Sequence, residues 1–172
     1  SVLTANIQHQ THINVFSLGV SDLTGIADFD SLKILSARWT GVDSVDLSHN
    51  SALERFDLGA TGIEKLTLAN HPNLNSISID GSIINSIDLS LYPKLDYISC
   101  STSPITSLDF SNNPLIKDIY AGFCQLTNIN LSNCTRLEDL DVDNNQLNYL
   151  NLDDCDSLKF LFCANNNISY ID

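Results

Sequence analysis

Basic side chains are scarce: eight Lys and Arg stand against twenty-one Asp and Glu in 172 residues, a net charge of −13. That balance repels phosphate backbones and anionic lipid, which argues against nucleic acid and membrane surfaces as partners. No apolar run approaches the ~18 residues a membrane helix needs, so no membrane insertion is expected. Methionine is absent, the first residue is Ser1, and no charged-then-apolar leader precedes the rest. Either a signal peptide or other preceding residues have been removed.

Catalytic signatures are missing as well. There is no GxGxxG, P-loop or HExxH pattern and no recognisable nucleophile triad, so enzyme activity has no positive signal and no cofactor is implied. The five cysteines are odd in number and contain no CxxC spacing, which leaves no zinc pattern. His9 and His12 have metal-like spacing without a third ligand, and read as solvated or capping residues.

What the sequence does contain is a repeat. "VDSVDLSHN" from Val42 returns as "IEKLTLANH" from Ile63, "INSIDLSLY" from Ile84, "ITSLDFSNN" from Ile105, "LTNINLSNC" from Leu126 and "LNYLNLDDC" from Leu147, always 21 residues on. A shorter frame is nested between these copies and has the same period. It runs "LKILSARWT" from Leu32, "LERFDLGAT" from Leu53, "LNSISIDGS" from Leu74, "LDYISCSTS" from Leu95, "IKDIYAGFC" from Ile116, "LEDLDVDNN" from Leu137 and "LKFLFCANN" from Leu158. Both frames obey LxxLxLxxN. A coil of this length cannot bury its own apolar edge, but stacked coils bury one continuous column, with neighbouring strands ~4.8 Å apart.

Over residues 32–172 the chain resembles the leucine-rich repeat proteins, and two nested copies per 21 residues resemble the bacterial subclass abundant in surface proteins of Bacteroidetes-type bacteria. The expected fold is a β-rich solenoid, a right-handed superhelix of about seven coils. The shorter half-repeat should form a parallel sheet, with extended or short-strand segments opposite and little helix. Residues 1–31 break the period, as an N-terminal cap should. Leu23, Ile26, Phe29 and Leu32 recur at the three-residue spacing of a 3₁₀ turn, and the segment resembles an internalin-like first repeat that aligns Ile13 and Val15 with Leu35 and Ala37. No second cap is seen before Asp172, so a missing continuation, a further domain or a homo-oligomer contact is expected at that end.

The ninth position of each half turns the chain and calls for a small polar side chain. It reads Thr40, Thr61, Ser82, Ser103, Cys124, Asn145, Asn166 in the shorter frame and Asn50, His71, Tyr92, Asn113, Cys134, Cys155 in the longer. His71 and Tyr92 are oversized there, which predicts a loosened backbone. Cys100 and Cys163 fall in the strand core, three coils apart and beyond disulfide reach. Cys134 and Cys155, one coil apart, are the one pair near enough to consider, and ladder thiols suit their spacing better than a bond.

The outward positions of the shorter frame differ from coil to coil. They carry Arg38 and Arg55 near the cap, Tyr97 and Tyr120 in the middle, Asp118, Asp139, Asp141 and Asp143 beyond, and Phe160 and Phe162 last. Trp39 follows Arg38. Asp139, Asp141 and Asp143 alternate along one strand and are a weak calcium candidate, set against a plain solvated face, because the Gly turn and final Glu of a calcium loop are missing. Phe160 and Phe162 read first as an end or partner contact. Arg38, Trp39, Arg55, Tyr97, Tyr120, Asp118, Asp139 and Asp141 read as a ligand face, and the resemblance implies a non-catalytic recognition or adhesion module, secreted or at the cell surface, for a protein or glycan. The alternative is a structural spacer within a larger surface protein.

Overall fold

A computed structural model of the chain describes residues 9–172; the first eight residues of the expected cap lie outside the described range. Twelve strands of three residues each follow one another: β1 His12–Asn14, β2 Ile34–Ser36, β3 Ser44–Asp46, β4 Arg55–Asp57, β5 Lys65–Thr67, β6 Ser76–Ser78, β7 Tyr97–Ser99, β8 Ser107–Asp109, β9 Asp118–Tyr120, β10 Asn128–Asn130, β11 Asp139–Asp141 and β12 Phe160–Phe162. A single 3₁₀ turn, Ile26–Asp28, is the one helical element among the described residues, at the place the three-residue spacing predicts.

Every shorter half-repeat contributes one strand to a parallel eight-stranded sheet, in the order β1, β2, β4, β6, β7, β9, β11, β12. Ile13 pairs with Leu35, as the internalin-like alignment expects. The central residues Leu35, Phe56, Ile77, Ile98, Ile119 and Leu140 stack fully buried behind the sheet. Each such side chain contributes roughly 1.5–3 kcal/mol of burial. The longer half-repeats form the opposite side with two short sheets, β3 with β5 and β8 with β10.

The corner after each front strand has a feature the repeat pattern did not predict. Ser17, Trp39, Ala60, Gly81, Thr102, Phe123, Asn144 and Asn165 all have left-handed backbone, with φ between 53° and 66°. One coil after another, the backbone N–H at this position donates to a carbonyl of the next coil at 2.7 to 3.0 Å, from Ser17 to Arg38 through Asn144 to Ala164. This ladder fixes the conformation whatever the residue. A left-handed φ costs an L-residue roughly 1–2 kcal/mol.

The ninth positions satisfy the buried turn. Thr40 and Thr61 donate within their own coil, to Ala37 and Leu58 carbonyls. Asn145 and Asn166 reach further: each amide nitrogen bridges to the coil before, at the carbonyls of Ala121 and Val142, and each amide oxygen accepts the N–H of Leu126 or Leu147. On the longer side the amide nitrogens of Asn50 and Asn113 also bridge to the coil before, at the carbonyls of Ile26 and Leu89. His71 and Tyr92 are buried there and stack with ring centroids 6.3 Å apart. The loosening expected at these bulky residues falls between them instead, since Leu74 and Leu95 still donate to the His71 and Tyr92 carbonyls at 3.0 Å. Residues 84–88 form no strand, β5 and β8 are left unjoined, and a cleft of ≈ 470 Å³ opens beside Leu66, Leu68, Ile84, Ile87 and Leu91.

A candidate recognition face on the long sheet

Strand alternation puts Ile119 and its counterparts in the other coils behind the sheet and leaves two rows of side chains in front. Parallel register aligns Arg55, Ser76, Tyr97, Asp118, Asp139 and Phe160 in one row, and Asp57, Ser78, Ser99, Tyr120, Asp141 and Phe162 in the other.

Near the cap the face is closed by its own bonds. Arg38 lies across successive coils, its Nη1 3.2 Å from Asp57 Oδ1, 3.1 Å from Ser78 Oγ and 3.1 Å from Asp80 Oδ2. Ser78 and Ser99 also donate to Asp57 and Asp80. Gly59 makes room for this arrangement, since a Cβ there would stand 2.8 Å from Arg38 Cζ. Arg38 is therefore committed inside the chain, whereas Arg55 is exposed and forms no ion pair among the described residues.

The middle of the face is different. The rings of Tyr97 and Tyr120 meet at 5.8 Å, tilted by 50°. The Tyr120 hydroxyl donates to Asp139 Oδ2 at 3.2 Å. Burial first, and then this carboxylate, push the Tyr120 phenol up to about 12. Asp118 lies beside Asp139 in register; its own burial, followed by the charges of Asp139 and Glu138, raises its carboxyl above the ordinary value. Asp139 Oδ1 is shut off from solvent and accepts no hydrogen bond.

Asp139, Asp141 and Asp143 are each half-buried rather than freely solvated, and they are used separately. Asp139 holds Tyr120, Asp141 accepts the N–H of Asp143, and Asp143 accepts the N–H of Ala164. No three acidic, histidine or cysteine side chains among the described residues converge on a metal position, so these carboxylates are not gathered into a calcium loop. The second acidic row, Asp46, Asp88 and Asp109 on the longer frame, caps turns: each accepts the N–H two residues on, from Ser48, Ser90 and Ser111.

Trp39 and Phe123 stand in the left-handed column and are 61% and 64% exposed. Phe123 did not emerge from the outward positions, although it follows Tyr120 by three residues. The signal was faint: the same column holds Gly81, Asn144 and Asn165, residues that tolerate a left-handed turn, beside four that do not announce one. Phe160 and Phe162 are exposed at the last strand, where Leu161 behind them is half-buried.

The five thiols are free. Burial pushes Cys134 up to about 12 and Cys155 up to about 11, so both stay protonated at neutral pH, and the Cys124 thiol donates to the Cys100 carbonyl at 3.1 Å.

No family model matches the sequence, and no curated protein matches it significantly. The likeness lies in three dimensions. The functional domain of InlJ from Listeria monocytogenes, described as including a cysteine ladder, superposes with a TM-score of 0.74 at 21% identity over 98% of this chain. The fold is a leucine-rich repeat solenoid. Internalin F from Listeria monocytogenes matches it with a TM-score of 0.64 at 20% identity over 97% of the chain, and the LRIM1/APL1C complex with 0.68 at 17% over 86%. This solenoid spans 42% of the InlJ chain, 29% of the LRIM1/APL1C one and 58% of internalin F, less than two thirds of each. In this chain Cys134 and Cys155 occupy the ninth place of two successive longer halves.

Proposed function

We propose that this solenoid is a non-catalytic recognition module of a secreted or cell-surface bacterial protein, and that it binds a protein partner through the front of the long sheet around Tyr97 and Tyr120. One observation carries the reading: an aromatic pair is held on an open sheet face by defined bonds, flanked by the half-buried carboxylates Asp118 and Asp139. Clustered aromatics beside polar groups are the usual anchors of protein interfaces. The internalin-like fold and the appearance of a related solenoid in the LRIM1/APL1C complex support a protein partner. The nested 21-residue pattern supports the surface location.

Quantitative capture on immobilised solenoid tests this. A protein retained by the natural chain and lost with the Tyr97→Ala, Tyr120→Ala double variant, at unchanged melting temperature, is the expected result. Equal retention by both removes the face from the binding site and favours a spacer. A glycan array on the same two proteins detects a sugar ligand instead.

A further inference from the structure

From β7 to β12 the front rows and the turn beside them present Asp118, Asp139, Asp141 and Asp143 and no Lys or Arg. Adjacent like charges in register on neighbouring strands destabilise a sheet. At the cap end the fold resolves the same problem with its own cation, because the Arg38 guanidinium lies on the face between Asp57 and Asp80, carboxylates of successive coils. Asp118 and Asp139 likewise stand on successive coils and have no guanidinium between them. Lys117, the nearest base, precedes Asp118 and offsets part of the repulsion, yet Asp118 still titrates above its ordinary value.

We propose that an arginine or lysine side chain of a basic protein partner docks on Tyr97 and Tyr120 and places its cation against Asp118 and Asp139, the role Arg38 fills internally at the cap end. This rests on the recognition face proposed above and gives its partner a chemistry. The half-buried Asp118 carboxylate, in register with Asp139 and in no ion pair among the described residues, is the acceptor left for such a donor. The tilted tyrosine pair offers ring faces, which attract a cation through their quadrupole. A guanidinium matches paired carboxylate oxygens best, because its fork donates two parallel hydrogen bonds.

The probe is a capped peptide of alternating arginine and glycine, titrated calorimetrically into the whole chain, beside the same peptide with citrulline in place of arginine. Citrulline keeps the planar shape and removes the charge. The natural chain is expected to bind the arginine peptide, and Asp139→Asn to weaken it about tenfold, the range of one charge-assisted hydrogen bond. Asp109→Asn on the opposite side should leave it unchanged. Three results overturn the inference: no binding of the arginine peptide, equal binding of the citrulline peptide, or an equal loss in Asp109→Asn, which would reduce the effect to net charge. If Asp139→Asn binds normally while Tyr97→Ala, Tyr120→Ala does not, the cation site falls and the recognition face stands. If neither variant matters, the cation site falls, and the capture experiment alone decides the recognition face.

Discussion

Replacing Asn145 with alanine tests the physical account of the front corner most directly. Asn145 is buried, and its Nδ2 donates to the carbonyls of Ala121 at 2.8 Å, Val142 at 3.0 Å and Asp143 at 3.1 Å, while Oδ1 accepts the Leu126 N–H at 2.9 Å. Val142 keeps a second donor in Asn166. Alanine therefore strands the Leu126 N–H and the Ala121 carbonyl, which have no other partner. Each of these two stranded buried groups costs about 1–3 kcal/mol, so the variant should lose roughly 2–6 kcal/mol. For a domain of this size that is a fall in melting temperature of about 4–24 °C. Asn145→Asp should be worse, because it keeps the acceptor for Leu126 but aims a carboxylate at the carbonyls Nδ2 had served. Asn145→Ser should lie between the natural chain and alanine, since Ser103 in the same column still reaches a carbonyl, that of Ile79. Urea unfolding followed by circular dichroism gives these values, provided the slopes agree. A loss below ~1 kcal/mol for alanine, or an aspartate variant as stable as the natural chain, would refute the ladder as the source of the corner's stability.

The back wall and the left-handed column can be probed in the same way. His71 is buried and its burial holds the imidazole pKa below the ordinary value, so the unfolded chain takes up a proton near pH 6.5 that the folded one resists. The stability from this residue is complete above that pH and is lost as pH falls below it; His71→Gln should flatten the decline in stability between pH 7 and 5, and an unchanged decline would contradict the assignment. Phe123 holds a left-handed φ of 56° with an exposed side chain, so Phe123→Gly should stabilise by up to about 1 kcal/mol in thermal unfolding, and destabilisation would mean the ring packs more than its exposure implies.

The inward architecture was legible because burial acts on every coil in the same way. Leu35, Phe56, Ile77, Ile98, Ile119 and Leu140 repeat one requirement, and the requirement shows as a period. The interruption at the back was legible for the opposite reason, since His71 and Tyr92 break a column otherwise filled by small residues. The state of the front face was harder to read. Whether Arg38 is free or committed depends on how far its side chain reaches, across to the carboxylates of the next two coils, and on Gly59 leaving space, and neither is a matter of periodicity. The left-handed column stayed hidden because the inter-coil N–H ladder imposes it even on Trp39, Thr102 and Phe123, so the glycine and asparagine that would announce it appear at Gly81, Asn144 and Asn165 alone among the seven shorter-frame copies. Tyr97 and Tyr120 could be selected by position, but their meeting on a diagonal and the bond to Asp139 come from side-chain geometry.

The gap in the back wall has a mechanical consequence. Hydrogen bonds tie all eight front strands into one continuous sheet, while the two back sheets end at β5 and begin again at β8. A solenoid tied along one side and parted on the other resists stretching unequally across its width. Bending that opens the back concentrates at residues 84–88, and it changes the curvature of the front between β6 and β9, the stretch that carries Tyr97. The bulky pair His71 and Tyr92 thus flanks one of the places where the back wall parts, the one that lies behind Tyr97.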